Sequence, residues 1–157
     1  LLLFTDAPGP AFDPRLMINL KAERGTALLS FSLRLDSKAA APVLIELRQL
    51  SGLPAGAKPD YLVGAMIGVK AVGSLSAGGK ELGRSKPGNW ARLTLTLPLG
   101  VEGGEYRLAV SGQDCSVDEE IPKKDARFKA LERILIYNTE KVKGAFSIEG
   151  LSLKVDP

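Results

Sequence analysis

Histidine is absent from all 157 residues. That excludes serine or cysteine nucleophiles activated by an imidazole, and any zinc site that needs one. There is one cysteine, Cys115, so no internal disulfide and no thiolate metal cluster can form. With no histidine to activate it, Cys115 reads as a small buried hydrophobe rather than a reactive thiol. Aromatic residues are scarce, at one Trp, three Tyr and five Phe, so a ring-lined sugar platform would have to be built from few side chains. No apolar run reaches the roughly 18 residues of a membrane-spanning helix, so membrane insertion is not expected. Neither sign of charge dominates: 21 Lys and Arg face 18 Asp and Glu, for a formal net charge of +3. The densest basic run, Lys123 to Lys129, is interrupted by Asp125 and reads as a solvated loop, so no nucleic-acid partner is expected.

What is present is apolar alternation. Apolar residues make up 45% and charged residues 25%, the balance of an ordinary globular protein, and residues 1–157 read as a single domain. In "TALLSFSLRLD", Ala27, Leu29, Phe31, Leu33 and Leu35 share one face, while Ser30, Ser32, Arg34 and Asp36 share the other. "VLIELRQ" sets Val43, Ile45 and Leu47 against Glu46 and Arg48. "EYRLAVSG" aligns Tyr106, Leu108 and Val110. "YLVGAMIGVK" is apolar or small on both faces, which suits a central strand whose glycines admit a close neighbour. Turn signals recur between these runs, predicting roughly ten to twelve strands. The first segment, Leu1 to Thr5, is expected to pair near the last, Ser147 to Val155. One short turn of helix, capped by Asp125, is expected within "KKDARFKALER".

Two phase slips stand out. In "GAFSIEGLSLKV", Phe146 and Ile148 share one phase, whereas Leu151, Leu153 and Val155 share the other. A bulge at Glu149-Gly150 would return both sets to one core. In "GNWARLTLTLPLG", strict alternation puts Ala91, Leu93, Leu95 and Leu97 inward but sends Trp90 to the polar side. A bulge at Ala91-Arg92 would turn the indole inward, and burial is favoured over an exposed platform.

The strand that opens with Gly88-x-Trp90-x-x-Leu93-x-Leu95, and the closing Phe146-x-Ile148-Glu149-x-Leu151-x-Leu153, resemble the concanavalin A-like, laminin-G-like jelly rolls. The likeness runs from about Thr26 to Leu153 and departs at Glu149, where the superfamily usually has aspartate. It implies an all-β fold, a two-sheet antiparallel β-sandwich of jelly-roll type. It also implies a module excised from a larger extracytoplasmic protein of a bacterial cell surface or secretome, with neighbouring domains that process glycans.

The carboxylates argue against an enzyme. Glucanases of the superfamily place acids on one strand as Glu-x-Asp-x-x-Glu, because period-two spacing points them into one groove. No strand here does so, and Asp118-Glu119-Glu120 before Pro122 reads as a turn. The expected function is therefore a non-catalytic accessory module with a polysaccharide or glycan as partner. The alternative is a structural or protein-interaction sandwich with no small ligand. The ligand-binding candidates are Trp90, Arg92 and Arg48, with Tyr61 and Tyr137 as further candidate contacts. Arg34, Glu46 and Arg107 would join them if their strands are neighbours. No organic cofactor is expected. Calcium is the one ion left open, through Asp36, Asp114 and Asp118, whose spacing matches no defined loop.

Overall fold

The alternation in Gly25–Leu35 is realised directly. Ala27, Leu29, Phe31, Leu33 and Leu35 are buried, and the residues between them face outward. The computed structural model describes residues 2–5, 15–140 and 144–157. Among these residues the chain forms strands and no helix. In order they are β1 (Leu2–Thr5), β2 (Arg15–Ala22), β3 (Gly25–Leu35), β4 (Val43–Gln49), β5 (Leu62–Val69) and β6 (Ser74–Ala77). Then come β7 (Lys80–Arg84), β8 (Ala91–Leu99), β9 (Glu105–Gly112), β10 (Ser116–Pro122), β11 (Leu131–Asn138) and β12 (Ala145–Asp156). The predicted helical turn is instead a reverse turn, in which Phe128 N donates to Asp125 O (3.0 Å). Asp125 caps no helix. Its carboxylate accepts from Val63 N (2.7 Å), which ties the loop to β5.

Two six-stranded antiparallel sheets stack face to face. The first runs β1-β12-β3-β8-β9-β10 and the second β2-β11-β4-β5-β6-β7. The first segment does pair with the last strand, but at its start: Leu2–Thr5 run opposite Ala145–Ile148, overlapping the expected Ser147–Val155 only at Ser147 and Ile148, and Leu1 lies outside the described residues. The core lies between the sheets. Leu29, Phe31, Leu93, Leu95, Leu97 and Leu108 come from the first sheet, and Ile45, Leu47, Ala65, Ile67, Ile134 and Ile136 from the second. Each of these side chains has lost all contact with water, and at roughly 1.5–3 kcal/mol per large apolar side chain they are the main force holding the layers together.

The Glu149-Gly150 bulge forms. The β12–β3 register shifts between Glu149 and Ser152, and Gly150 takes φ +60°. Leu151 and Leu153 thereby pack on the same core as Phe146 and Ile148. Among the described residues the β1 pairing stops at Ile148, just before the slip. The Ala91-Arg92 bulge does not form. β8 pairs without interruption from Leu99 to Ala91 against β3, and again from Ala91 to Thr96 against β9. A bulge in this strand would disrupt ladders on both sides at once. Trp90 therefore stays on the polar side, half-buried, with the Arg34 guanidinium 4.7 Å from its ring centre.

A third slip lies in β5. The β4–β5 register shifts between Leu47 and Arg48, so that Arg48 faces Val63 while Leu47 faces Ala65. Gly64 is the extra residue. A Cβ there would lie 2.5 Å from the Phe128 ring, so the glycine is required by close packing, as the sequence suggested. The slip puts Leu62 inward with Ala65, Ile67 and Val69, and Val63 outward beside Arg48. Asp118-Glu119-Glu120 is not a turn but the middle of β10, the edge of the first sheet. Carboxylates there discourage edge-to-edge pairing, and Pro122 closes the strand.

Candidate functional site

The outer face of the second sheet departs from the pattern of one dry face and one wet face. On β4, alternation sends Leu44, Glu46 and Arg48 outward. On β11 the outward set is Arg133, Leu135 and Tyr137, and on β2 it is Arg15, Met17 and Asn19. Antiparallel register sets Glu46 opposite Leu135 on one side and Met66 on the other, with Tyr137 opposite both Leu44 and Arg15. Although they lie on the outside of a sheet, Glu46, Leu135 and Tyr137 are buried.

Glu46 and Arg48 form an ion pair whose side chains are only 7% and 15% exposed. Arg48 Nε donates to Glu46 Oε2 (2.5 Å), and its NH2 group contacts the same oxygen. The guanidinium lies over the Tyr61 ring, 3.8 Å from its centre. Stacking and the buried carboxylate together fix the plane of the arginine, so its remaining N–H donors point in set directions. Burial first, and then the Glu46 charge, push the Tyr137 hydroxyl up to about 12, and it hydrogen-bonds to Glu46. The two tyrosines, the arginine, Leu135 and Arg15 line a cavity of about 290 Å3. Beyond Leu44 and Met66, on the same face, a second hollow of about 430 Å3 runs over Gly68 and Ser76 towards Lys70, Lys80 and Glu81. Small residues on β5 and β6 keep its floor low.

No protein-family model matches the sequence, and no curated protein matches it. Solved structures do match. CG-16, a homodimeric agglutinin from chicken liver, superposes with a TM-score of 0.55 at 10% identity, over 89% of this chain and 99% of its own. A doubly substituted human galectin-16 gives 0.55 at 11% identity, over 98% and 99%. A single mutant of congerin II gives 0.53 at 11% identity, over 89% and 99%. The chain has the concanavalin A-like fold. Identities this low speak for the architecture alone.

Within that concanavalin A-like sandwich the sequence-predicted ligand contacts separate. Arg48 sits on the second sheet, whereas Trp90 and Arg92 sit at the first. The idea that Arg34, Glu46, Arg48, Arg92 and Arg107 share one polar face is corrected by the topology. Arg34, Arg92 and Arg107 lie on the neighbouring strands β3, β8 and β9, but Glu46 and Arg48 lie on the opposite sheet. Arg92 is engaged in the fold. Its NH2 donates to Ser30 Oγ (2.7 Å), and its NH1 reaches across β3 to Gly150 O (3.0 Å), holding the β12 bulge. Tyr61 and Tyr137 do come together, on Arg48 and Glu46.

The three aspartates weighed for calcium are each engaged elsewhere. Asp36 accepts from the Lys38 and Ala39 amides (2.8 and 2.7 Å), Asp114 from Lys86 N (2.8 Å), and Asp118 from Arg107 (2.7 and 2.6 Å). Those partners hold all three carboxyls below the usual range. Cys115 is buried, and burial pushes its thiol up, as expected for an inert side chain. Sequence reading passed over Leu135, and it treated Glu46 as one member of a wider polar face rather than as the partner of Arg48. One signal was available: an acid and a base two apart on a strand face the same way.

Proposed function

We propose that the chain is a non-catalytic, carbohydrate-binding β-sandwich that takes a glycan on the outer face of the second sheet. The observation that carries this reading is the Arg48 guanidinium, clamped between buried Glu46 and the Tyr61 ring at the mouth of the cavity beside Tyr137. Sugars are held by planar hydrogen-bonding groups that meet hydroxyls and by apolar or aromatic surface that meets C–H faces. Arg48, Leu135 and Tyr137 stand on strands rather than loops, so they are positioned before any ligand arrives. The fold supports the reading through one of the proteins that shares it, an agglutinin by its printed name. The two carboxylates on β2, β11 and β4 are both engaged in the fold, Glu46 with Arg48 and Glu132 with the Leu50 and Ser51 amides, which speaks against an acid pair for glycoside hydrolysis on these strands.

In this reading the module works outside the cytoplasm, in a secreted or cell-surface bacterial protein with neighbouring domains, and binds without a cofactor. A structural or protein-interaction role is the competing reading. It draws on Met17, 45% exposed on the same face. A glycan array decides between them. Binding above background that is lost in Tyr61→Ala, with the melting temperature nearly kept and no response to a chelator, supports the glycan reading. Failure of the intact chain to bind any glycan rejects it.

A further inference from the structure

We infer that the glycan taken by this face is anionic, presenting a carboxylate or sulfate to Arg15 and Arg48 while its sugar body lies over Leu135 and the two tyrosines. The inference rests on the glycan reading above and adds the class of ligand. Basic residues outnumber acids on the outward side of the three strands concerned: Arg15 and Lys21 on β2, Arg133 on β11 and Arg48 on β4. The acids on these strands are already occupied: Glu46 is buried against Arg48 and Tyr137, and Glu132, in the β11 bulge, accepts from Leu50 N, Ser51 N and Ser51 Oγ.

The basic groups differ in how much of their charge remains to be met. Lys21 pairs with Glu23 (3.3 Å), and Arg133 Nε donates to Asn19 Oδ1 (2.8 Å). Arg15 is exposed and takes part in none of the ion pairs among the described residues. It lies opposite Tyr137 and lines the same cavity as Arg48. Two guanidinium groups therefore border one cavity; among the described residues that line it none is an acid, and the buried Glu46 behind it offsets Arg48. Glu46 takes the Nε and NH2 edge of Arg48, leaving other N–H groups of that fork for an acceptor in the cavity. A neutral sugar could accept those hydrogen bonds but would leave the charge excess unmatched. A carboxylate or sulfate matches both the charge and the planar donor geometry.

The test is calorimetric titration of the intact chain with three oligosaccharide preparations of similar length: oligogalacturonate, sulfated dextran and neutral dextran. Arg15→Gln removes an exposed charge and leaves the buried pair intact. Lys154→Gln, on the first sheet, controls for overall charge. At least one anionic preparation should bind about tenfold or more tightly than neutral dextran, since charge-assisted hydrogen bonds are the stronger class. Added salt should narrow that gap, and Arg15→Gln should close most of it while Lys154→Gln leaves it unchanged. Which anionic arm binds separates carboxylate from sulfate. Equal affinity for neutral and anionic chains overturns the inference but leaves the glycan reading standing. A preference lost equally in both variants also overturns it, because diffuse charge would then be the cause. Binding to none of the three, together with a blank glycan array, overturns both.

Discussion

The outer faces of the two sheets come from the same kind of alternating strand yet end in different physical states. On the first sheet, Arg107 and Asp118 make a two-pronged ion pair, but their side chains remain 60% and 58% exposed. Around them stand Ser30, Ser32, Thr94 and Thr96, and Arg92 spends its donors on the chain itself. On the second sheet, Glu46 and Arg48 are about as close in space but almost dry, under Tyr61 and beside Tyr137. An ion pair in water gains little because solvent screens it. The same pair taken out of water becomes a constraint on everything around it. A face built the second way can hold donors in fixed directions for a ligand, and a face built the first way cannot.

The sharpest attempt to break that contrast is Arg48→Ala. It leaves the Glu46 carboxylate buried without its partner and should cost about 3–5 kcal/mol in urea denaturation. A loss below about 1 kcal/mol would mean that the face is as wet as the other one. Next comes Tyr137→Phe, which removes the hydroxyl bonded to Glu46 and should cost about 1–2 kcal/mol at neutral pH.

The same tyrosine ties the face to alkaline stability. Its folded value, about 12, lies above the ordinary 10, so folding favours the protonated form. That contribution is complete below pH 10 and is lost as the pH climbs from 10 towards 12. Tyr106, inside the sandwich and hydrogen-bonded to the Met66 backbone, is raised to about 12 by burial as well. Alkaline unfolding of the parent should therefore be steep in that window, and Tyr137→Phe should flatten it, as followed by tyrosinate absorbance. An unchanged slope would detach Tyr137 from the interior-like class. The smallest effect belongs to the first sheet. Asp118→Asn should leave the urea midpoint within experimental scatter, and added salt should not change that result.

Much of this was legible in the chain. The inward sets of β3, β4, β8 and β9 follow from alternation, and the β12 bulge follows from a slip beside a glycine. The Trp90 slip looked alike and resolved differently: β8 is hydrogen-bonded on both sides along the segment concerned, whereas among the described residues β12 is paired with β1 only as far as Ile148, short of Gly150. The β5 bulge was hidden because apolar and small residues occupy both phases of that strand, so a slip leaves no mark on the pattern. The candidate site was half legible: Arg48, Tyr61 and Tyr137 were named as contacts, but Trp90 and Arg92 were grouped with them across what proved to be two sheets.

By itself, the sequence determined that each strand has an inside and an outside, because a pleated chain sends successive side chains to opposite faces whatever lies beside it. It also determined that these 157 residues offer no imidazole and no second thiol to partner Cys115. Which outer face becomes dry was decided only by tertiary structure. Glu46, Tyr61 and Tyr137 come from separate stretches of chain. They meet because the order β11-β4-β5 sets Tyr137 on one side of Glu46 and brings Tyr61, at the entrance to β5, to the other. Burial is a property of neighbours, and strand order, which no local pattern encodes, chooses the neighbours.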